Sequence, residues 1–430
     1  MAKMERLMEI RRLLVDSFLA AVAAADPLKV LPRHLPSPPS GRTLVVGAGK
    51  AAASMALAVE QHWPADAALE GIVVTRYRHG LPTKRIRVIE AGHPVPDSTG
   101  EAAAGEILRK VEGLGPSDLL LALVSGGGSA LLSLPVASVG IEALKATTRE
   151  LLRCGAPIQD INTVRKHLSA ILGGRLAAAC KAPVLALLVS DVTGDEPTHI
   201  ASGPCAPDPT TFGDALAVIQ RYGIEAPSSV REYLRRGAKG EVPETPKPGD
   251  GVFLRTENRV VASAQQALRA ASDFFRQRGM SSIILGDSVT GEASEVAKAY
   301  GALTRQISRY GDFAKRPVAL ISGGECTVTV RGKGRGGRCT EFLLSLALDL
   351  AGAPDVHAIA CDTDGIDGSE DNAGAVLFPE SLEHGLRVGL DPRALLANND
   401  AYGFFSGIGD LVITGATRTN VNDYRAILIT

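Results

Sequence analysis

The stretch from Thr43 to Trp63, TLVVGAGKAAASMALAVEQHW, combines a buried strand, a glycine turn and a helix. Its run of Leu and Val up to Gly49 is typical of a strand covered on both faces. The alanine-rich segment that starts at Lys50 has high helix propensity. A helix that begins directly after a glycine turn presents backbone N–H groups to an anion. The stretch therefore predicts one unit of an α/β fold with a ligand site at the turn.

The same strand-then-helix pattern continues through the first half of the chain. Further strands are predicted at 71–75, 85–92, 118–128 and 183–192, and helices around 99–114, 141–154 and 162–178. Continuous apolar strands separated by helices imply a mostly parallel sheet covered on both faces. Ligands of such sheets bind at the carboxyl ends of the strands.

A segment rich in Pro, Gly and charge, Gly237–Gly251, predicts a linker. A chain of 430 residues is too long for one ordinary core. We therefore predict an N-terminal domain at 1–240 and a C-terminal α/β domain at 250–430. In the second domain, the segment TVTVRGKGRGG (327–337) predicts an antiparallel hairpin arm after a buried strand.

Composition excludes several classes of protein. The chain is 45% hydrophobic and 22% charged with a net charge of -1, which gives no electrostatic basis for nucleic-acid or anionic-membrane partners. Apolar residues at Leu7, Ile10, Leu14 and Phe18 have helical spacing, which favours an amphipathic helix over a signal peptide. The six cysteines lack paired spacing and indicate reduced thiols in a cytoplasmic protein.

The turn Gly47-Ala48-Gly49-Lys50 loosely matches a dinucleotide-binding fingerprint. That fingerprint requires an acidic residue at the end of the second strand, which here ends at Thr75-Arg76. Asp66 and Glu70 precede the strand, so NAD binding is disfavoured, while Arg76 leaves NADP open. The alternative is a tight turn with a surface lysine.

The turn Ser125-Gly126-Gly127-Gly128-Ser129 follows another predicted strand. Its backbone amides could hold a carboxylate or a phosphate. The alternative is close packing of a helix on a strand. The turn is not a nucleophile elbow, because G-x-S-x-G is absent here.

Two acidic loops also follow predicted strands: SDVTGDE (190–196) and CDTDGIDGSEDN (361–372). Carboxylates at strand ends suit magnesium, which takes one or two of them and keeps several waters. The second loop only partly matches an EF-hand. The alternative for both is a solvated acidic turn.

The segment RGKGRGGR (331–338) places Arg331, Lys333, Arg335 and Arg338 close together. These cations repel one another unless anions lie between them, and arginine suits bidentate phosphate or carboxylate recognition. The alternative is a solvated basic hairpin. No P-loop or protein-kinase motif is present.

The ordered motifs resemble one family over nearly the whole chain. They are GAGKAA, EAGHPVPD, VSGGGSALL, NTVRKHLSAILGGRLA, SDVTGDEPTHIASGP, ISGGECTVTVRGKGRGGR, DTDGIDG and TGATRTNVNDYRAILI. The chain resembles type II glycerate kinases (glycerate 2-kinases) with a C-terminal MOFRL region, here about 315–425. The resemblance implies ATP- and Mg²⁺-dependent phosphorylation of D-glycerate to 2-phospho-D-glycerate. It also implies a Rossmann-like N-terminal domain, a smaller α/β C-terminal domain and an active site in the cleft between them.

The family pattern and the motifs together give a set of expected site residues. The resemblance implies that Lys50 and Arg338 are catalytic cations, and we add Asp191. The expected nucleotide- and substrate-binding residues are Gly47, Gly49, Ser125, Gly126, Gly127, Gly128, Ser129, Arg335, Gly336 and Gly337. The expected metal ligands are Asp195, Glu325 and Asp364. The family usually has Asn-Gln where this chain has Cys339-Thr340, which would alter rate or specificity if that pair touched substrate.

Two other functions remain open at this point. An NAD(P)H-dependent hydroxypyruvate reductase would use the GAGKAA turn as a dinucleotide site. A binding protein without catalysis would use the glycine turns only to hold a metabolite. Small molecules are the expected partners, and a homodimer is left open.

Overall fold

The computed structural model describes residues 2–430. The strands are β1 Thr43–Ala48, β2 Leu69–Arg76, β3 Ile86–Ala91, β4 Leu119–Ser125, β5 Val184–Val189, β6 Thr256–Ala262, β7 Ser281–Gly286, β8 Val318–Ser322, β9 Val356–Asp362, β10 Gly374–Leu377, β11 Leu411–Val412 and β12 Asp423–Ile429. The helices are α1 Ala2–Ala24, α2 Pro27–Val30, α3 Ala52–His62, α4 Ser98–Glu112, α5 Gly128–Leu131, α6 Ile141–Arg153, α7 Ile158–His167, α8 Arg175–Ala179, α9 Phe212–Arg221, α10 Ser228–Ala238, α11 Ala264–Arg276, α12 Ala293–Tyr310, α13 Arg338–Leu350, α14 Ser381–Arg387, α15 Pro392–Ala397 and α16 Ala401–Ile408.

The chain forms two compact units whose bounds differ from the predicted domains 1–240 and 250–430. One unit is Pro27–Val261, and the other combines Met1–Asp26 with Ala262–Thr430. Helix α1 packs on α11 and β9, so it belongs to the unit that contains the C-terminus. Strand β6 joins the first sheet beside β5, so that unit extends past the predicted linker.

The unit Pro27–Val261 contains a six-stranded sheet with the order β3-β2-β1-β4-β5-β6. The pairs β1–β2, β1–β4, β2–β3 and β4–β5 are parallel. This order is that of doubly wound dinucleotide-binding folds, in which ligands bind where the order reverses. Here the reversal lies between β1 and β4, whose residues are entirely buried. The predicted α/β class with a mostly parallel N-terminal sheet is confirmed.

The second unit contains a mixed sheet with the order β11-β10-β9-β12-β8-β7. Its central strands β9 and β12 pair antiparallel, while β7 and β8 are parallel. Helix α13 packs against β9 and α12, and its first nine residues except Arg338 are buried. The predicted α/β class of this part is confirmed.

The helix predicted at 162–178 is interrupted in the structure. Helix α7 ends at His167, and α8 starts only at Arg175. The Ser169 hydroxyl accepts hydrogen bonds from the N–H groups of Ile171 and Leu172, which ends the helical pattern. Gly173 and Gly174 then adopt positive φ angles of 60° and 82°, which favour glycine.

Helix α1 is anchored to the unit that contains the C-terminus by polar and aromatic contacts. Tyr424 donates a hydrogen bond to Ser17 at 2.8 Å, and its ring packs on Phe18. Arg11 pairs with Asp410 at 3.0 Å. Burial raises the pKa of Asp410 to about 6 despite this ion pair.

Changing Asp410 to Asn removes this titration. The folded protein favours the protonated carboxyl, so wild type loses stability as the pH rises from about 4 to about 6. We therefore expect the free energy of unfolding of D410N, relative to wild type, to increase across that window. Urea unfolding at closely spaced pH values measures this. A difference that stays constant with pH would contradict the assignment.

No helix in residues 2–430 is long and apolar enough to cross a membrane. The six cysteines form no disulfide among residues 2–430, and all except Cys154 are buried.

Candidate active site

The turns after β1 and β4 interlock at the point where the strand order reverses. Lys50 donates its backbone N–H to the carbonyl of Gly126 at 2.9 Å, and Ala51 donates to the Ser125 hydroxyl at 3.0 Å. A Cβ atom on Gly49 would lie 2.1 Å from the Ser125 oxygen. The two predicted glycine turns therefore form one structure, and close packing accounts for Gly49.

Lys50 extends from this turn beside Gly127 and His93. Gly127 has a φ of 81°, and a Cβ atom there would lie 2.8 Å from Nε2 of His93 and 3.5 Å from Cγ of Lys50. Lys50 is partly buried. The structure places the His93 ring beside both glycine-turn motifs.

Ser129 at the end of the glycine turn connects to two other segments. Its hydroxyl lies 2.8 Å from that of Ser202, which donates to Asn162 of α7 at 2.9 Å. Ala201 and Ser202 have positive φ angles of 50° and 57°. Such angles are unfavourable in non-glycine residues and persist where surrounding contacts impose them, often at functional sites. The segment after β5 is thus held against the turn after β4.

Asp191 and Asp195 lie in the loop that follows β5, which is the strand next to β4. Both residues are partly buried. Asp195 has a φ of 56°, and its N–H donates to the carbonyl of Val192 at 3.1 Å. The predicted carboxylates therefore lie at the same carboxyl edge of the sheet as Lys50 and Ser129.

The basic segment 331–338 belongs to the other unit and is not the predicted hairpin. Residues 328–337 form no strand, because side chains take their backbone N–H groups. Asn399 accepts from Arg331 at 2.7 Å and from Gly332 at 2.9 Å, and Asn398 accepts from Lys333 at 3.1 Å. The amides of this segment are therefore occupied within the protein, which weakens the prediction of a backbone cradle for phosphate.

Arg335 is also engaged by neighbouring side chains. Its Nε donates to Glu370 at 2.8 Å, and the guanidinium lies 4.3 Å from the centre of the Tyr402 ring. The Arg335 side chain remains 61% exposed. Gly336 and Gly337 follow it, and a Cβ atom on Gly337 would lie 2.2 Å from Asp367. Packing thus explains Gly337 without a ligand.

Arg338 binds carboxylates on three sides at the start of α13. Its Nε donates to Asp423 at 2.7 Å, Nη1 to Glu325 at 2.8 Å and Nη2 to Asp362 at 2.8 Å. Burial acts to lower the pKa of Arg338, but the charges of Asp423 and Asp362 hold it well above its ordinary value. A guanidinium has five N–H donors, so two remain for a further anion.

The sequence did not reveal Asp423 as a partner of Arg338. The side chain of Asp423 is fully buried, and it also accepts from Arg425, itself buried on the same strand. The motif NVNDYRAILI contains both residues, but only the antiparallel pairing of β12 with β9 brings Asp423 opposite Asp362. Arg338 is therefore fixed in position by the centre of the sheet.

Cys339 and Thr340 face the interior of the protein. Cys339 is completely buried, and its N–H donates to Asp367 at 3.0 Å. The Thr340 hydroxyl donates to the same carboxylate at 2.7 Å. Burial raises the pKa of Asp367. The pair that departs from the family pattern thus anchors a buried loop and is enclosed by protein.

The expected metal ligands belong to different units of the chain. Asp195 lies in the unit Pro27–Val261, whereas Glu325 and Asp364 lie in the other. Asp364 is buried and accepts from the N–H of Ile366 at 2.9 Å, so its carboxylate stabilises its own turn. Within residues 2–430, no group of three or more His, Cys, Asp or Glu is arranged to hold a metal ion.

Comparison with known proteins places the chain in a family. A family model described as a domain of unknown function, DUF4147, matches residues 13–235, and the MOFRL family matches residues 318–423. Glycerate 2-kinase from Pyrococcus horikoshii is 36% identical over 98% of each chain. The chain belongs to the glycerate 2-kinase family with a MOFRL region.

Solved structures of the glycerate 2-kinase family share the fold. The crystal structure of glycerate kinase from Thermotoga maritima matches with a TM-score of 0.87 at 36% identity, covering 98% of this chain and 100% of that chain. A protein of Agrobacterium vitis with the provisional name hydroxypyruvate reductase is 50% identical over 97% of this chain and 94% of its own length. The names within the family therefore include both a kinase and a reductase.

Strand β2 lacks the acidic residue that an NAD-dependent reductase would place at the carboxyl end of this strand. Glu70 lies near the amino end of β2 and accepts from Arg42 at 2.7 Å and Lys110 at 2.8 Å. The carboxyl end of β2 is Arg76. The acidic partner of a ribose in NAD sites lies at the carboxyl end. Glu70 is therefore at the wrong end of the strand for this role.

Proposed function

We propose that this chain transfers a phosphoryl group from ATP to D-glycerate and forms 2-phospho-D-glycerate. The observation that carries the proposal is the interlocked pair of turns after β1 and β4, which fixes Lys50 beside Gly127 where the strand order reverses. Phosphoryl transfer depends mainly on positioning and on stabilising charge, and a fixed ammonium group supplies the latter.

Lys50 is proposed to neutralise charge on the transferred phosphoryl group. Its backbone hydrogen bond to Gly126 defines where the side chain starts. The glycines of this turn let other segments of the protein approach it closely, since a Cβ atom would lie 2.8 Å from His93 at Gly127 and 2.6 Å from Ala201 at Gly128. We assign residues 125–129 to binding of a phosphate or of the acceptor carboxylate. Gly47 and Gly49 contribute by allowing the two turns to pack.

The loop after β5 fits a magnesium ion bound together with nucleotide. Mg²⁺ takes one or two carboxylates, phosphate oxygens and waters, so it requires no cluster of protein ligands. Asp191 and Asp195 offer oxygen donors at the carboxyl edge of the sheet. When bound, the ion would neutralise phosphate charge. Asp191 is also proposed to orient the acceptor hydroxyl.

Arg338 is proposed as a second cation for the reaction. Its three carboxylate contacts fix the guanidinium, and its remaining N–H groups are the ones available to a phosphate. Arg335, Gly336 and Gly337 remain predicted binding residues, although the contacts seen for them are with other residues of the protein. Glu325 and Asp364 likewise remain predicted metal ligands, although the contacts seen for them are also with other residues of the protein.

The proposal is tested by two assays on the same purified protein. The first follows ADP release with D-glycerate, ATP and Mg²⁺, and the second follows oxidation of NADH or NADPH with hydroxypyruvate. We expect ADP release that requires D-glycerate, and no oxidation of either nicotinamide. Oxidation without ADP release would contradict the proposal and make GAGKAA a dinucleotide site. Ligand binding without either turnover would favour a non-catalytic binding protein.

A further inference from the structure

Arg165 on α7 is a partly buried cation whose side chain has no internal partner among the described residues. Its guanidinium makes no hydrogen bond, ion pair or ring contact with any residue in the part of the chain that the structure describes, 2–430. The neighbouring Lys166, in contrast, donates to Thr198 at 2.8 Å and to Asp208 at 3.3 Å. The guanidinium of Arg165 is therefore available to an anion from outside the protein.

Arg165 lines a small cavity beside the glycine turn after β4. The cavity is lined on one side by polar residues that include Ser129, Ser133 and Thr148, and on the other by Leu134, Leu144 and Leu172. The Ser133 hydroxyl is occupied by the carbonyl of Ser129. Thr148 is buried, and its hydroxyl has no partner among residues 2–430. A guanidinium and an unused hydroxyl thus lie around one cavity.

The cavity adjoins the proposed active site at Ser129. Ser129 closes the glycine turn, and its hydroxyl reaches Asn162 of α7 through Ser202. Arg165 follows Asn162 by three residues, which puts both on one face of the helix. An anion held by Arg165 would therefore lie next to the turn that Lys50 contacts.

We propose that Arg165 binds the carboxylate of the acceptor, a small hydroxy acid, beside this cavity. The inference rests on the proposed function and names the group by which the acceptor is held. A planar guanidinium binds a carboxylate with two parallel hydrogen bonds. The cavity has room for about one water molecule, so it excludes a triphosphate, and a short acceptor would place only its carboxylate against the guanidinium. Burial lowers the pKa of Arg165 to about 10, so the group stays charged at neutral pH.

The test uses Arg165→Met, Arg165→Lys and Thr148→Val, with Arg149→Gln as a matched control. Arg149 is an exposed arginine on α6, next to Thr148 in sequence. Binding is measured without nucleotide, as the increase in melting temperature caused by D-glycerate, by its neutral amide glyceramide, and by inorganic phosphate. KM for D-glycerate and for ATP is then measured for each variant.

We expect D-glycerate to stabilise wild type and R149Q more than glyceramide does, and R165M to lose this discrimination. KM for D-glycerate should rise about 10- to 100-fold in R165M, while KM for ATP stays within about twofold, because a charge-assisted hydrogen bond is lost from one substrate only. R165K should recover part of the loss. Without ligand, R165M should be as stable as wild type, since no internal partner is left unpaired.

Three results would overturn the inference. A rise in KM for ATP, with loss of phosphate stabilisation only, would assign the cavity to nucleotide. A lower unfolding free energy of ligand-free R165M, with unchanged discrimination between glycerate and glyceramide, would make Arg165 structural. An unchanged KM for D-glycerate in R165M, in a protein that is active as a kinase, would also exclude Arg165 from binding the acceptor. If wild type proves inactive as a kinase but D-glycerate still stabilises it and not R165M, the proposed function fails while the carboxylate site stands.

Discussion

Replacing Lys50 with Ala is expected to lower kcat for D-glycerate phosphorylation by about 10²- to 10⁴-fold, as when a charge-stabilising group is removed from a transfer site. The side chain starts from a backbone that is hydrogen-bonded to Gly126, and it lies beside Gly127 and His93. The lost ammonium would leave the phosphoryl charge without compensation in the transition state. Steady-state kinetics at saturating ATP and D-glycerate measures the effect.

Two controls separate chemistry from folding in this experiment. Lys50→Arg keeps the charge and should retain more activity than Lys50→Ala. The urea midpoint of Lys50→Ala should match that of wild type, because the backbone contacts of residue 50 are unchanged. A Lys50→Ala variant that keeps more than about a third of wild-type kcat would show that Lys50 is not catalytic. Such a loss corresponds to less than about 1 kcal/mol of activation free energy.

Replacing Arg338 with Ala is expected to destabilise the protein by about 3–5 kcal/mol, the usual cost of removing one partner from a buried ion pair. The change leaves Asp423 and Asp362 without their shared cation, and both side chains are buried, at 0% and 6% exposure. Glu325, the third partner, is 56% exposed and contributes little. Urea unfolding at pH 7 measures the loss.

Arg335→Ala is the matched control for this prediction. Arg335 also pairs with a carboxylate, but its side chain is 61% exposed, so the loss should stay below about 1 kcal/mol. Equal destabilisation by the two substitutions would contradict the arrangement found around Arg338.

The sequence predicted the elements of the first sheet more reliably than their assignment to units. Apolar runs ending in glycine turns identified β1 and β4, and the carboxyl-edge rule predicted a shared site for Lys50 and Ser129. Amphipathic spacing correctly indicated that α1 buries one face. It does not specify the partner of that face, and α1 packs on α11 and β9 in the unit that contains the C-terminus. Strand β6 was missed because a charged start, Thr256-Glu257-Asn258-Arg259, precedes its apolar end.

The basic segment and Arg165 show why parts of the site were not predictable. Thr and Val alternation at 327–330 favours a strand, but Asn398 and Asn399, which are distant in sequence, take the amides that a hairpin would use. Arg165 precedes Lys166 and His167 at the end of α7, where basic residues commonly complement the helix dipole. Only the absence of an internal contact distinguishes Arg165 from its neighbours, and that property is not visible in the sequence.

Phosphorus NMR of the product formed from D-glycerate, ATP and Mg²⁺ identifies the reaction and the position of transfer together. We expect one new phosphomonoester, identified as 2-phospho-D-glycerate by comparison with authentic standards, together with an equal amount of ADP. We also expect Lys50→Ala to form this product far more slowly. Formation of 3-phosphoglycerate would contradict the assigned position of transfer, and no phosphomonoester at all would contradict the assignment as a glycerate 2-kinase.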